Sequence, residues 1–469
     1  MAKSKSVASH LAKHLRLDFF GTDVEISGVS SIANEVEPGD LFVALPGAKH
    51  HGLDFLEEAL SRGAVAVLSD RAAADVPSLV AAKPRSILGE VCNLLMGEVN
   101  IPLFGVTGTN GKTSTTNYLH QLLSRLGYQP GMAGSTGLEL PSGHRASSLT
   151  SVELTTLRKY LRDLQLEGGN ACALEVSAHA LVRSRVAGLR FDVVGFTNLS
   201  RDHLDDFAGM EEYFSAKASL FDSDRATKAA VFVSDPWAEK LASNLTIPCL
   251  TVGEGQAVDF SYVDGALELK GKINLSVTFS PGGLMAKNLA LALTMLHLQG
   301  FSDKQLESAA TDLSQVPGRL ERVSDAQPHV YVDYAHTPDG VEKAIVELLG
   351  RYPGVTVLAS ASGDRDQGKR FEIGQAAAKA SQVIVTDQHP RSEDPALIRR
   401  AVGEGISDKG ADFVEIADPA KAIEFAVSVT PRDQAVLWCG PGNLKYREIA
   451  GVKEPFDAIA IAKLAVENS

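Results

Sequence analysis

The sequence predicts an α/β protein of three domains: a small N-terminal α/β domain over residues 1–97, a central domain over 98–315 built on a P-loop ATPase-like parallel sheet with added antiparallel strands, and a Rossmann-like C-terminal domain over 316–469. Three observations predict it. The chain has 469 residues, and roughly 150 residues make a domain. From Ile101 onward, short apolar runs alternate with stretches of helical spacing, the pattern of parallel strands joined by crossover helices. Between Cys249 and Phe279 the rhythm changes to alternating polar and apolar residues with glycine turns, which reads as antiparallel hairpins.

In the first domain, residues 40–45 form a strand leaving the Pro38-Gly39 turn, 55–62 have helical spacing, and 64–68 are a buried strand. In the second, 101–106 form a strand, followed by a glycine-rich turn and a helix from Thr113. Buried strands follow at 171–176 and 191–196. The last domain carries strands at 330–332, 355–359, 383–386, 413–416 and 435–438, with helices such as 340–349 and 419–428 between them. Asp418 and Pro419 are suited to the N-cap and first position of the latter helix.

Composition narrows the function classes. With 44% hydrophobic and 22% charged residues, each domain has material for a core. The net charge of −13, from 58 acidic and 45 basic residues, is opposite to that of a general nucleic-acid binder. Cys92, Cys172, Cys249 and Cys439 are far apart and form no C-x-x-C pair, so neither a disulfide framework nor a zinc site is expected. No apolar run approaches the roughly 20 residues that span a bilayer, and residues 1–10 lack a signal-peptide core. The expectation is a soluble cytoplasmic protein with reduced thiols.

Two segments carry chemistry. Gly108-Thr109-Asn110-Gly111-Lys112-Thr113-Ser114 lies between a strand and a helix. Glycines there let backbone N–H groups turn toward an anion, and the helix N-terminus adds partial positive charge. Lys112 reaches for β- and γ-phosphates and the Thr113 hydroxyl for Mg²⁺, which makes this a candidate ATP loop. Strict Walker spacing would put glycine where Val106 stands, and the competing reading is an ordinary glycine turn. Glu175 and His203 end two predicted strands, where ligands of parallel sheets bind. With Thr113 they are candidate Mg²⁺ ligands; hardness ranks His203 below Glu175, and capping residues are the alternative.

The loop T-G-T-N-G-K-T at 107–113 resembles that of the Mur ligases, the amide-bond-forming enzymes of peptidoglycan assembly, and of the folylpolyglutamate synthetases. The blocks E-V-S-A-H-A-L at 175–181, Arg185-Val186, F-T-N-L-S-R-D-H-L-D at 196–205 and Y-F-S-A-K-A-S-L-F at 213–221 are similar to the Mur ligases that add the third amino acid of the peptide; Ala178 stands where they usually have serine. The resemblance implies that Glu175 and His203 bind Mg²⁺, that Ser177 and Arg185 hold the nucleotide-peptide substrate, and that Lys217 is carbamylated and acts as a further metal ligand. Lys112, Glu175, His203 and Lys217 would then be the catalytic set. A carbamate requires a neutral amine, so Lys217 should sit where burial or cations lower its pKa; otherwise it is a surface lysine pairing with Glu211 or Glu212.

Further blocks extend the likeness. Thr150-Ser151-Val152-Glu153 stands where the family has T-T-P-E, which implies that Thr150 and Ser151 contact the substrate peptide. Ser30, before the P-G-D-L-F-V-A-L-P-G run at 38–47, is the best candidate uridine contact, although the usual D-S-R triplet is missing. Asn288 ends an N-x-x-N motif whose first asparagine is Met285; it would lie near adenine, or serve as a helix N-cap. Arg319 in P-G-R-L-E, with Asp333 and His336 in D-Y-A-H-T-P-D, would complete the ATP site when the last domain closes.

The amino-acid pocket departs from the family. Where enzymes adding meso-diaminopimelate usually have D-N-P-R-S-E-D-P, this chain has D-Q-H-P-R-S-E-D-P at 387–395, with Gln388 and His389 in place of the acid and the amide, and G-K-G-H-E becomes G-P-G-N-L at 440–444. Arg370 and Arg391 remain for an α-carboxylate. Gln388, His389 and Leu444 remove the acidic partners of a distal zwitterion, so the expected amino acid is lysine or a shorter diamino acid, with Asp387 or Asp394 supplying compensating charge. The implied activity is that of a monomeric ATP- and Mg²⁺-dependent, ADP-forming ligase. It joins a free amino acid to UDP-N-acetylmuramoyl-L-alanyl-D-glutamate through an acyl phosphate. The alternatives are a folylpolyglutamate synthetase-like ligase and an inactive nucleotide-binding scaffold.

Overall fold

The computed structural model describes residues 6–47, 50–147, 149–202, 206–255, 258–263, 267–271, 275–277 and 283–468. Among the described residues, three large sheets follow one another along the chain, beside two two-stranded ones. The first has five strands in the order Asp18–Phe20, Ser78–Val80, Ala66–Ser69, Asp40–Val43 and Gly28–Ser30. All pair in parallel except the antiparallel edge strand Asp18–Phe20. The expected helix at 55–62 is Leu56–Ser61, preceded by a 3-10 turn that His51 and Asp54 cap reciprocally.

The central sheet has eleven strands. Its parallel body runs Pro130–Gly134, Ala171–Glu175, Leu103–Thr107, Phe191–Phe196, Ala226–Val233, Cys249–Gly253 and Phe260–Val263. Antiparallel strands extend both ends: Gly137–Leu140 and Gly143–Arg145 on one side, Leu267–Gly271 and Leu275–Val277 on the other. The hairpin expectation for 249–279 is therefore corrected for its first half, because Cys249–Gly253 continues the parallel sheet. Val252 is buried beneath the helix Gly283–Gln299, whereas Cys249 packs only partly against the opposite core. A parallel strand covered unequally on its two faces shows the same period of two as a hairpin strand.

The C-terminal sheet runs Glu321–Arg322, His329–Asp333, Ala435–Cys439, Val355–Ala359, Gln382–Val385 and Val414–Glu415. Its last five strands are parallel and correspond to the five expected. Asp418 accepts hydrogen bonds from the Ala420 and Lys421 N–H groups, with Pro419 in the first turn. The short antiparallel strand Glu321–Arg322 and the terminal hairpin of Tyr446–Ile449 and Val452–Pro455 are additions to the sequence-based expectation.

Side chains join the three units. Ser31 N–H donates to Thr155 Oγ1 at 3.1 Å, Thr156 Oγ1 to Glu35 Oε2 at 2.6 Å, and Lys159 Nζ to the Glu35 carbonyl at 2.7 Å. Between the central and last units, Asn110 Nδ2 donates to Asp339 Oδ2 at 3.0 Å and Lys369 Nζ to Asp202 Oδ1 at 3.3 Å, and Arg201 pairs with Glu372. The last unit is thus closed over the strand ends of the central sheet. Among the described residues, no helix is long and apolar enough to cross a membrane.

Candidate active site

A cavity of about 730 Å³ opens where the central and C-terminal sheets meet. The loop after Leu103–Thr107 forms one wall, and its conformation depends on glycine. Gly111 has φ +85°, and a Cβ there would lie 2.3 Å from Asn288 Oδ1. The segment 197–200 braces the loop: Thr109 N–H donates to the Asn198 carbonyl at 2.9 Å, Asn110 N–H to Asn198 Oδ1 at 3.1 Å, and Thr197 Oγ1 to the Asn110 carbonyl at 2.6 Å. Asn288 lies inside the helix Gly283–Gln299 and lines the cavity, so it is not an N-cap.

Two lysines meet at one carbonyl. Lys112 Nζ donates to Gly108 O at 2.9 Å and Thr109 O at 2.8 Å, and Lys217 Nζ donates to the same Gly108 O at 2.7 Å. Lys217 is 1% exposed, with its amine 4.4 Å from the centre of the Tyr213 ring. Burial, then the Lys112 charge, hold its pKa well below the ordinary lysine value, although Asp202 opposes them. Burial also lowers the Lys112 pKa, against Glu175 and Asp202. The surface-lysine alternative fails: Glu211 pairs with Lys240, and Glu212 accepts from Ala208 N–H.

Glu175 stands across the cavity at the end of its strand. Its carboxylate accepts from Ser135 N–H at 2.8 Å and Ser135 Oγ at 3.3 Å, and Ser135 Oγ also donates to Thr150 Oγ1 at 3.0 Å. Ser151 Oγ donates to the Glu175 carbonyl at 2.9 Å and to Ser177 Oγ at 3.3 Å. Arg185 is held by Glu153 and by the Ser151 carbonyl at 2.9 Å. Glu175, Ser177, Arg185, Thr150 and Ser151 all line the cavity. His203 lies outside the described residues. Ser30 is buried in the first unit, donating to the Ile32 carbonyl at 2.9 Å, and does not line this cavity.

The last unit contributes the opposite wall. Arg319 Nη2 donates to the Thr113 hydroxyl at 2.7 Å while its guanidinium stacks 4.5 Å from the Tyr334 ring centre. Asp333 accepts from Leu320 N–H at 2.6 Å and Ala335 N–H at 2.7 Å, and burial raises its pKa despite Arg319. His336 shares a hydrogen bond of 2.9 Å with the Tyr334 carbonyl; burial, then Lys369, push its pKa down to about 3.

Further along the last unit, Arg370 is buried and its fork is filled by Glu393 at 2.7 and 2.9 Å. Asp387 accepts from Arg399 at 2.5 Å and is not among the residues lining the cavity, and Asp394 caps its helix through Ala396 N–H. Neither aspartate is placed to supply the compensating charge. His389 and Arg391 do line the cavity. Sequence reasoning missed Ser135, Asp202, Lys369, Tyr334 and Glu448 as wall residues. Tyr334 and Asp202 lie inside the blocks D-Y-A-H-T-P-D and F-T-N-L-S-R-D-H-L-D, and Lys369 directly precedes Arg370; Ser135 and Glu448 carried no local signal.

Among the described residues, no group of three His, Cys, Asp or Glu is gathered to hold a metal alone. The donor set present, the Thr113 hydroxyl and the Glu175 carboxylate, is hard oxygen. It fits Mg²⁺, which takes one or two protein oxygens and completes its shell with water and phosphate.

The family pattern for the Mur ligase catalytic domain matches residues 25–97, that for the Mur ligase middle domain 106–293, and that for the Mur ligase glutamate ligase domain 318–442. A UDP-N-acetylmuramyl-tripeptide synthetase of Leifsonia xyli subsp. xyli is 39% identical over 500 residues, covering 99% of this chain and 97% of the relative. A UDP-N-acetylmuramoyl-L-alanyl-D-glutamate–2,6-diaminopimelate ligase of Streptomyces coelicolor is 34% identical, again over 99% and 97%. A solved structure of a ligase of that latter name superposes with a TM-score of 0.65 at 29% identity, over 94% of this chain and 95% of the other. MurF from Thermotoga maritima, in complex with ADP, shares the fold with a TM-score of 0.66 at 20% identity, over 94% of this chain and 97% of the other. Whole-length similarity at this level, in the order of domains that the three sheets follow, shows that the chain belongs to the Mur ligase family.

Proposed function

We propose that this protein is an ADP-forming ligase that adds a diamino acid to UDP-N-acetylmuramoyl-L-alanyl-D-glutamate in the cytoplasm, as a monomer with domain boundaries near 97/98 and 315/316. The observation that carries the reading is the shared Gly108 carbonyl. Two ammonium groups on one buried oxygen repel, and of the two it is Lys217 whose pKa is held well below the ordinary lysine value, which favours the neutral amine. A neutral amine can attack CO₂ and release a proton, leaving a carbamate where a cation would otherwise stand.

In this reading the loop N–H groups not taken by Asn198, with Lys112, hold the triphosphate, Asn288 lies by the base, and Arg319, Asp333 and His336 close on it from the last unit. Thr113, Glu175 and carbamylated Lys217, with His203, hold Mg²⁺, which supplies neutralisation of phosphate charge when bound. Thr150, Ser151, Ser177 and Arg185 orient the dipeptide, and Ser30 the uridine end. A substrate carboxylate oxygen attacks the γ-phosphorus and ADP leaves. The incoming amine then attacks the acyl carbon, phosphate leaves, and the amine gives up its proton.

An ADP-release assay with UDP-N-acetylmuramoyl-L-alanyl-D-glutamate, ATP, Mg²⁺ and a panel of diamino acids tests this. The expected result is release that depends on both the dipeptide and one amino acid. Release with folates alone would favour the folylpolyglutamate reading, and none with any acceptor the scaffold.

A further inference from the structure

The amino-acid end of the cavity holds a carboxylate that the sequence motifs did not mark. Residues 389–391 run against the terminal hairpin. Arg391 N–H donates to the Glu448 carbonyl at 3.0 Å, Ala450 N–H to the Arg391 carbonyl at 2.6 Å, and Glu448 N–H to His389 Nδ1 at 3.0 Å. These bonds fix Glu448 beside Arg391 on the cavity wall. Glu448 Oε2 lies 3.5 Å from Arg391 Nε, yet that Nε is buried without a hydrogen-bond acceptor, so the contact is ionic only.

The neighbouring acids are committed. Glu393 fills the fork of Arg370, Asp387 takes Arg399, Asp394 caps a helix, and Asp366 accepts from Gly368 N–H at 3.0 Å. Among the described residues, no donor is hydrogen-bonded to the Glu448 carboxylate. It is about one-third exposed (31%) and faces a cavity in which Leu444 offers no charge. An ammonium brings three donors to such a carboxylate. A second carboxylate on the incoming molecule would find Arg391 already neutralised and Glu448 repelling it.

We infer that Glu448 is the specificity-determining residue of the amino-acid pocket. It accepts the side-chain ammonium of the incoming diamino acid and, by lying against Arg391, denies that arginine to a distal carboxylate. This rests on the ligase reading above and adds to it the group that discriminates.

The test is ADP release by the full-length wild type, Glu448→Gln and Glu448→Asp with lysine, ornithine, 2,4-diaminobutyrate and meso-diaminopimelate. Melting temperatures are measured alongside. The wild type is expected to prefer one of the first three. Glu448→Gln should raise KM for that amino acid about tenfold or more, the scale of one lost charge-assisted hydrogen bond, with KM for ATP and the UDP-dipeptide within about twofold. Its preference over meso-diaminopimelate should narrow, and Glu448→Asp should recover part of the loss. An unchanged amino-acid KM in a folded Glu448→Gln, or a wild type that prefers meso-diaminopimelate, overturns the assignment. A folded wild type that releases no ADP with any of the four removes the ligase reading itself, and the assignment with it.

Discussion

His389 shows what one substituted residue does to its surroundings. It replaces the amide usual in the family motif, is 7% exposed, and accepts the Glu448 N–H on Nδ1, which requires an unprotonated nitrogen. Burial, then Arg391, Arg447 and Lys453, push its pKa down to about 4 from 6.5. Between those values the unfolded chain binds a proton that the native state refuses. Its contribution is therefore fully present above the unfolded value and is lost as pH falls toward the native one. The loss is at most about 1.4 kcal/mol per pH unit. His389→Asn keeps an acceptor for the Glu448 N–H and removes the titration. Its melting temperature should fall less between pH 7 and pH 5 than that of the wild type. Parallel curves would show that the imidazole is not held neutral.

Among elements, the glycine-rich loop and the helix Lys112–Arg125 were legible because their signal is local: glycines, a lysine and a hydroxyl in close succession. Parallel strands such as Val355–Ala359 were legible for a similar reason, being continuous buried runs. The terminal hairpin was not, because Tyr446–Ile449 is only half-buried and Val452–Pro455 is exposed, so no apolar alternation marks them. The link from Glu175 to Ser135, and from Arg370 to Glu393, spans 40 and 23 residues, and nothing local announces either. Gly111 is the element's most constrained point. Gly111→Ala must both leave φ +85° and displace Asn288. It should cost about 1–3 kcal/mol of stability and raise KM for ATP more than KM for the amino acid. Thermal melts with ADP-release kinetics check this; an unchanged KM for ATP would show that the loop tolerates the shift.

At the scale of the whole molecule, the last unit is held closed by contacts of unequal worth. Arg201 and Glu372 are 49% and 32% exposed, so water screens their pair, and such pairs contribute about 0–1 kcal/mol. Lys369 and Asp202 are only 15% and 8% exposed, so water screens that pair far less. The buried bridge, rather than the more exposed one, is then the latch. Lys369→Met should raise the radius of gyration without nucleotide, read by small-angle scattering, and lower kcat by about tenfold or more, whereas Glu372→Ala should change kcat by less than about fivefold. Equal effects from both variants, or no expansion in Lys369→Met, would place the closing force elsewhere. Other cross-unit bonds would then carry it, among them Asn110 to Asp339, Arg319 to Thr113 and Leu284 N–H to Glu347. The second of these occupies the hydroxyl proposed above for Mg²⁺, so in that reading nucleotide binding displaces Arg319. A latch at Lys369 lets that exchange happen without the unit swinging open.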